Sequence, residues 1–363
     1  MKKTANKLAA LALIGLFVAG GVSGCGKADT QQAADTQQTA DAQNTDTVQQ
    51  TKDSGADSGQ QTLRIGVVGS AESGYVMELA ALAKEKGYLE EELAAAGYDV
   101  EYVPFTNGGP EINEALASGA VDAAVYGDFP AFTSKSSGID TTIIATVNQR
   151  MQYAILTNNA QITQPKDLEG KKVIYLMGSV QQYFWEKYAE TNQIDTSKVE
   201  AVNSSDTASL LQTGSADAAA GNIYVAKYLE SMGLGTVLDA SDSEDAYTTQ
   251  VFTIKSSILQ DAPQVGVAVN KALIRAYEDA VADPEELYDA VATPVMSKEI
   301  MKSEYAFDES LWYLSPEITE DTLQYYDELN DWLYEKQILQ NKVDVDAFVA
   351  TEYYEQAKQE LGQ

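Results

Sequence analysis

Histidine is absent from the 363 residues, and cysteine occurs once, at position 25. Without histidine there is no Ser-His-Asp or Cys-His catalysis, no His-ligated zinc and no imidazole acid or base. That removes a large share of hydrolase chemistry and leaves carboxylate, Lys and Tyr chemistry. A single cysteine forms neither an intramolecular disulfide nor a thiolate metal cluster, so cysteine pairing says nothing of the redox compartment. Basic side chains are scarce as well: 24 Lys+Arg stand against 55 Asp+Glu, a formal net charge of -31. A nucleic-acid partner would therefore meet strong phosphate repulsion, and none is expected. Beyond residues 8–18 no apolar run approaches the roughly 20 residues that a membrane-spanning helix needs. The length predicts two or three domains with well-packed cores.

What the N-terminus does contain is informative. Lys2, Lys3 and Lys7 precede an apolar run over residues 8–18, and small residues from Ala19 and Gly20 cut that run short, as in a secretory signal. It closes on Val22-Ser23-Gly24-Cys25, which resembles the bacterial lipobox, where the Cys thiol is lipidated and then becomes the new N-terminus. Residues 1–24 are thus expected to be a lipoprotein signal peptide and Cys25 the lipid-bearing residue, the bland alternative being an ordinary signal with an incidental Cys. Acyl chains would hold the protein at a cell membrane with roughly 0.8 kcal/mol per buried CH₂. Residues 26–61 hold Val48 as their only apolar residue larger than Ala, too little to offset the entropy of ordering them. Residues 25–61 therefore read as lipidated Cys plus disordered tether, on the order of 30–36 Å long as a flexible chain.

Folded structure is expected from residue 62. Residues 63–68 form a β-branched run stopped by Gly69-Ser70, followed by a helical pattern over 75–86. Residues 100–105 repeat the grammar, with Pro110 suited to the first turn of a helix carrying Ile112, Ala115 and Leu116; a third run, 121–126, ends at Gly127-Asp128-Phe129-Pro130. Strand and helix alternate again over 172–176, 181–190, 199–202 and 207–213. Gly119-Ala120-Val121-Asp122-Ala123-Ala124 matches Gly214-Ser215-Ala216-Asp217-Ala218-Ala219 at an offset of 95, at equivalent points of two βαβ series. The chain is predicted to be α/β with two lobes, each a mostly parallel sheet flanked by helices. Lobe one takes 62–148 and lobe two 149–250, and 251–363 returns to lobe one and adds C-terminal helices. Extended segments at 141–147, 152–157 and 248–254 would carry two strands between the lobes as a hinge.

In open α/β sheets ligands bind beyond the carboxyl ends of the strands, where turns meet helix N-termini. That face carries Ser70, Asn107, Asp128, Phe129, Gly178, Ser179, Val180, Gln181, Asn222 and Tyr224. Gly178-Ser179 precedes a helix whose free N–H groups suit an anion, or is a turn with an N-cap serine and nothing more. Asp128 either accepts a ligand donor or caps a helix. Phe129, Tyr75, Tyr183 and Tyr224 are candidates for an aromatic wall, although any one of 21 Tyr is more often core or surface. Arg150, at the first crossing, is the basic residue best placed for the cleft. The acidic stretch from Asp239 to Asp245 lacks EF-hand spacing and reads as a solvated loop, so no metal or other cofactor is expected.

Taken in order, 63–66, 115–122, 127–130, 167–173, 178–179 and 214–218 make the chain resemble a solute-binding lipoprotein of an ABC importer, in the aliphatic sulfonate, taurine and nitrate group. The resemblance covers residues 62 to about 340. It implies the type II periplasmic-binding-protein-like fold, a small organic anion held near Ser179, Val180 and Gln181, a permease and ATPase as partners, a monomer and no catalysis. The missing histidine departs from nitrate and bicarbonate carriers. Other readings are a carrier of a pyrimidine or thiamine precursor, a surface sensor module, and an enzyme on the same bilobed fold.

Overall fold

The computed structural model describes residues 60–72, 74–241 and 246–363. The expected signal segment, Cys25 and the tether up to residue 59 lie outside the described residues, as do positions 242–245 of the acidic loop.

Eleven strands occur among the described residues, in chain order β1 (Gln61–Ser70), β2 (Gly74–Val76), β3 (Tyr98–Phe105), β4 (Ala123–Gly127), β5 (Thr141–Asn148), β6 (Tyr153–Thr157), β7 (Lys172–Tyr175), β8 (Glu200–Asn203), β9 (Ala218–Asn222), β10 (Thr236–Ser241) and β11 (Gln250–Lys255). They make two sheets. One runs β2-β1-β4-β11-β5 with β3 also on β1, and the other runs β10-β6-β9-β7-β8. In β1 the alternating Leu63, Ile65 and Val67 are fully buried, while β4, β5 and β11 are buried almost throughout, as strands covered on both faces must be. The expectation of mostly parallel sheets holds for β3-β1-β4 and β8-β7-β9 but not for the rest. β6 and β11, each entered from the other sheet, run against the strands on both sides of them, and β2 folds back on β1 as a hairpin.

The internal repeat has a structural counterpart. Asp122 and Asp217 each stand just before a strand, β4 and β9, and each bonds the opening residue of the parallel neighbour's first turn of pairing. Asp122 donates its N–H to the Arg64 carbonyl and accepts the Arg64 N–H; Asp217 does the same with Lys172. Gly119 and Gly214, at φ +77° and +66°, supply the left-handed residue between the preceding helix and each strand.

Tyr75 corrects the expected helix over 75–86. It lies on β2 in a tight hairpin with β1, and the helix begins only at Leu79. Gly69 makes the hairpin possible: at φ +137° a Cβ there would lie 2.1 Å from the Gly74 carbonyl oxygen. Farther on, helix Gln264–Ala282 buries Val265, Val269, Leu273, Ala276 and Ala280 against the first sheet's layer, with Tyr277 half-buried at the stripe's margin. Asp283 caps helix Pro284–Val291 through the Glu285 N–H, with Pro284 at its first position. Between the sheets the chain passes twice, through residues 149–152 and through the segment ending at 249. Those passages touch where the Met151 N–H donates to the Thr248 carbonyl at 2.9 Å and the Tyr153 and Thr248 hydroxyls share a bond.

Candidate functional site

A cavity of about 220 Å³ lies between the two sheets. Its lining comes from the carboxyl ends of parallel strands, as the fold rule requires: Val68 of β1, Gly127 of β4 and Asn222 of β9, with Thr106 and Leu176 just beyond β3 and β7. Met151, Tyr153, Thr248 and Thr249 add the crossing segments. No Lys, Arg, Asp or Glu is among the lining residues described. Four helices, Gly108–Ser118, Asp128–Ser136, Val180–Thr191 and Ile223–Ser231, start at or beside residues that line it. At two of these ends the opening N–H groups are already taken: those of Asp128 and Phe129 by the Thr249 carbonyl and the Asp128 carboxylate, and that of Ile223 by the Gln152 carbonyl.

The Val180–Thr191 helix shows how the local sequence builds one of these ends. Gly178, at φ +75°, turns the chain out of β7. The Ser179 hydroxyl accepts the Gln181 N–H at 3.2 Å and donates to the Leu176 carbonyl at 2.7 Å. The Gln181 and Gln182 side-chain oxygens accept the Leu176 and Gly178 N–H groups. Among the described residues no acceptor meets the N–H groups of Ser179 or Val180. Across the cleft, Gly127 accommodates Val180: a Cβ at 127 would fall 2.3 Å from the Val180 Cγ1, so the two lobes interdigitate only because 127 has no side chain.

Of the residues singled out from sequence, Ser179, Val180, Gln181, Asn222 and Tyr224 line this cavity together. Burial, then the nearby Glu78 and Glu304, hold the Tyr224 hydroxyl far above the usual tyrosine value, so it stays protonated. Gly178 flanks the chamber, 3.5 Å from Pro110 of the other lobe if given a Cβ. Asn107 sits at the rim, where its side-chain oxygen accepts from the Ser205 hydroxyl across the cleft at 3.3 Å. The other six are elsewhere. Ser70 belongs to the β1–β2 hairpin, and Tyr75 lines a separate cavity of about 70 Å³ with Glu78. Phe129 is fully buried in the core under the cleft, because the helix that begins at Asp128 turns that position inward. Asp128 is sealed: it accepts the Thr249 N–H at 2.7 Å, the Thr249 hydroxyl at 3.0 Å, the Tyr325 hydroxyl at 2.7 Å and the Phe129 N–H at 2.6 Å. Burial raises its pKa to about 6 against the pull of those donors. It clamps the second crossing instead of facing a ligand. Arg150 points to a different cavity, over the Tyr247 and Phe307 rings, and Tyr183 packs edge-on against Trp332.

Sequence reasoning did not single out Gly127 as an inter-lobe contact, nor Thr106, Met151, Thr248 and Thr249. The signal for Gly127 was a glycine closing a buried strand, and that for Thr248-Thr249 their place just before an expected strand. Nothing local marks the acid pair beside Tyr224. Glu304 accepts the Gln152 N–H at 2.8 Å and the Asn148 amide at 3.4 Å, Glu78 accepts the Tyr305 hydroxyl, and both are buried.

A family model described as NMT1/THI5 like matches residues 79–287. An aliphatic sulfonates-binding protein of Bacillus subtilis (strain 168) is 25% identical over 291 residues, which is 77% of this chain and 84% of the relative. Among solved structures, the periplasmic sulfonate-binding protein SsuA of Methylobacillus flagellatus KT superposes with a TM-score of 0.69 at 21% identity, over 84% of this chain and 95% of that one. The desulfurization enzyme DSZB does so with a TM-score of 0.61 at 16% identity, over 83% of this chain and 100% of that one.

Proposed function

This chain belongs to the NMT1/THI5-like family, and we propose from that premise that it is an extracytoplasmic solute-binding protein. In this reading it captures a small organic anion, an aliphatic sulfonate or a taurine-like compound, and hands it to the permease of an ABC importer while a lipid on Cys25 holds it at the membrane. The observation that carries the reading is the pair of N–H groups of Ser179 and Val180 that meet no acceptor among the described residues, at a helix start beside a cavity lined by no charged side chain. Such ends hold an anion's oxygens by N–H donation, with no formal cation needed. At about 220 Å³ the chamber suits a solute smaller than the ligands that fill pockets of roughly 300–1,000 Å³. Val68, Val76, Leu176 and Val180 offer an alkyl chain apolar contact. The sulfonate-binding names of the relatives agree with this choice of anion. A net charge of -31 repels anions at long range, so the dipoles must act at contact distance.

Titration calorimetry with ethanesulfonate, taurine and uracil tests the reading. Saturable sulfonate binding is expected; the Ser179 hydroxyl donates to the Leu176 carbonyl, so Ser179→Ala acts through the turn it ties and should weaken binding by about tenfold or less. Uracil binding with no sulfonate binding would overturn the anion assignment. A second reading, catalysis on the same fold, draws on the likeness to the desulfurization enzyme; sulfite released from a bound sulfonate would favour it over capture.

A further inference from the structure

The two crossing segments are a wall with a cavity on each face. Met151 and Thr248 line the cleft, Arg150 and Tyr247 line a second cavity of about 460 Å³, and Thr249 borders both. Arg150 is one of three arginines in the chain. Arg64 and Arg275 fork onto carboxylates at 2.8–3.0 Å, whereas Arg150 makes no ion pair among the described residues. Its guanidinium lies 4.7 Å from the centre of the Tyr247 ring and 5.0 Å from that of Phe307. Stacking fixes the guanidinium plane and leaves its edge donors for another partner.

Asp321 also lines this cavity and makes no ion pair with Arg150, whereas the Glu317 carboxylate lies against the Tyr354 hydroxyl. Tyr247 stacks on Tyr325 at 4.7 Å, and together they form an apolar wall. In a chain with 55 acids, a guanidinium and a carboxylate that share a cavity without pairing leave a gap between opposite charges. A simple anion would satisfy Arg150 and be repelled by Asp321; a simple cation would meet the reverse. A molecule carrying both charges satisfies both sides.

We propose that this cavity is a second ligand site, separate from the cleft, for a small zwitterion whose acid group docks on the Arg150 guanidinium and whose ammonium group faces Asp321. The site does not depend on what the cleft binds. Nitrogen-resolved NMR of the arginine Nε–H groups on the full chain tests it, since three arginines give three signals and Arg150→Gln identifies the one that matters. β-Alanine is expected to shift the Arg150 signal saturably and to leave Arg64 and Arg275, already ion-paired, in place. Propionate and propylamine, each carrying half of its charges, should bind about tenfold or more weakly. Asp321→Asn, at an exposed position, should weaken β-alanine by about ten- to hundredfold. The proposal is overturned if β-alanine leaves the Arg150 signal unmoved at millimolar concentration, if propionate matches it, or if Asp321→Asn has no effect. Ethanesulfonate carries no ammonium group, so its calorimetry reports on the cleft alone and the two sites fail or stand separately.

Discussion

Glu78 and Glu304 lie in the core with no cation among the groups that face them. Tyr305 and Tyr313, Tyr224 of the second lobe, and Tyr153, Asn148 and Gln152 near the first crossing surround the pair. Burial pushes Glu78 up to about 7; burial and the neighbouring Glu78 hold Glu304 well above the usual carboxylate range. One oxygen of each, Glu78 Oε1 and Glu304 Oε2, has no hydrogen-bond partner, which a shared proton would supply. The native state thus keeps protons that the unfolded chain gives up near pH 4.5, and stability falls as pH rises. For Glu78 the loss runs from about pH 4.5 to about 7, and Glu304 extends it upward. Asp128, raised to about 6, adds a loss of the same sign. Thermal melts should show a falling Tm between pH 5 and pH 8. Glu304→Gln keeps an acceptor for Gln152 and offers Glu78 an amide donor, so its profile should be flatter and its Tm at pH 8 higher than that of the parent. A parallel profile would show that the pair does not titrate in this window. No stretch of sequence displays this cluster, because positions 78 and 304 meet only through the fold.

At the scale of elements, the strand ends and helix starts decide how closely the lobes approach. Gly127 has φ -70° and ψ 155°, a conformation open to alanine, so nothing local requires glycine there. The requirement comes from Val180 of the facing helix. Gly127→Ala should leave the melting temperature nearly unchanged where the lobes part, yet weaken sulfonate capture at least tenfold by wedging the closed cleft. Adding Val180→Ala should restore most of that loss. Affinity unchanged in Gly127→Ala, or no rescue in the double variant, would mean that the ligand does not need this approach. Much of this level was readable beforehand. The Ser179 cap, the Asp283-Pro284 start and the apolar stripe of the Gln264–Ala282 helix followed from spacing alone, since capping and amphipathicity are local properties. Tyr75 departs from the helical periodicity that follows it because a hairpin with Gly69 and Gly74 at positive φ places it on a strand.

For the whole molecule, the proposed place of action rests on the N-terminal segment. Cys25→Ala should move the protein from the membrane fraction to the soluble fraction on cell fractionation. Equal membrane retention of the variant would remove the lipid anchor from the proposal while leaving solute capture in place. The two-lobed architecture itself follows from a duplicated pattern: Gly119 to Ala124 and Gly214 to Ala219 each end a helix, place an Asp against the neighbouring strand and start a buried strand.

The sequence by itself determined the alternation of strands and helices, the duplication, the capping residues and the exclusions that follow from having no histidine, because these depend on residue type and short-range spacing. Tertiary structure alone decided that Arg150 faces the rear of the crossing, that Asp128 is a buried clamp, that Glu78 meets Glu304 and that Gly127 receives Val180. Each of those depends on which face of an element turns toward a segment distant in the chain, and periodicity marks a buried face without saying what will cover it.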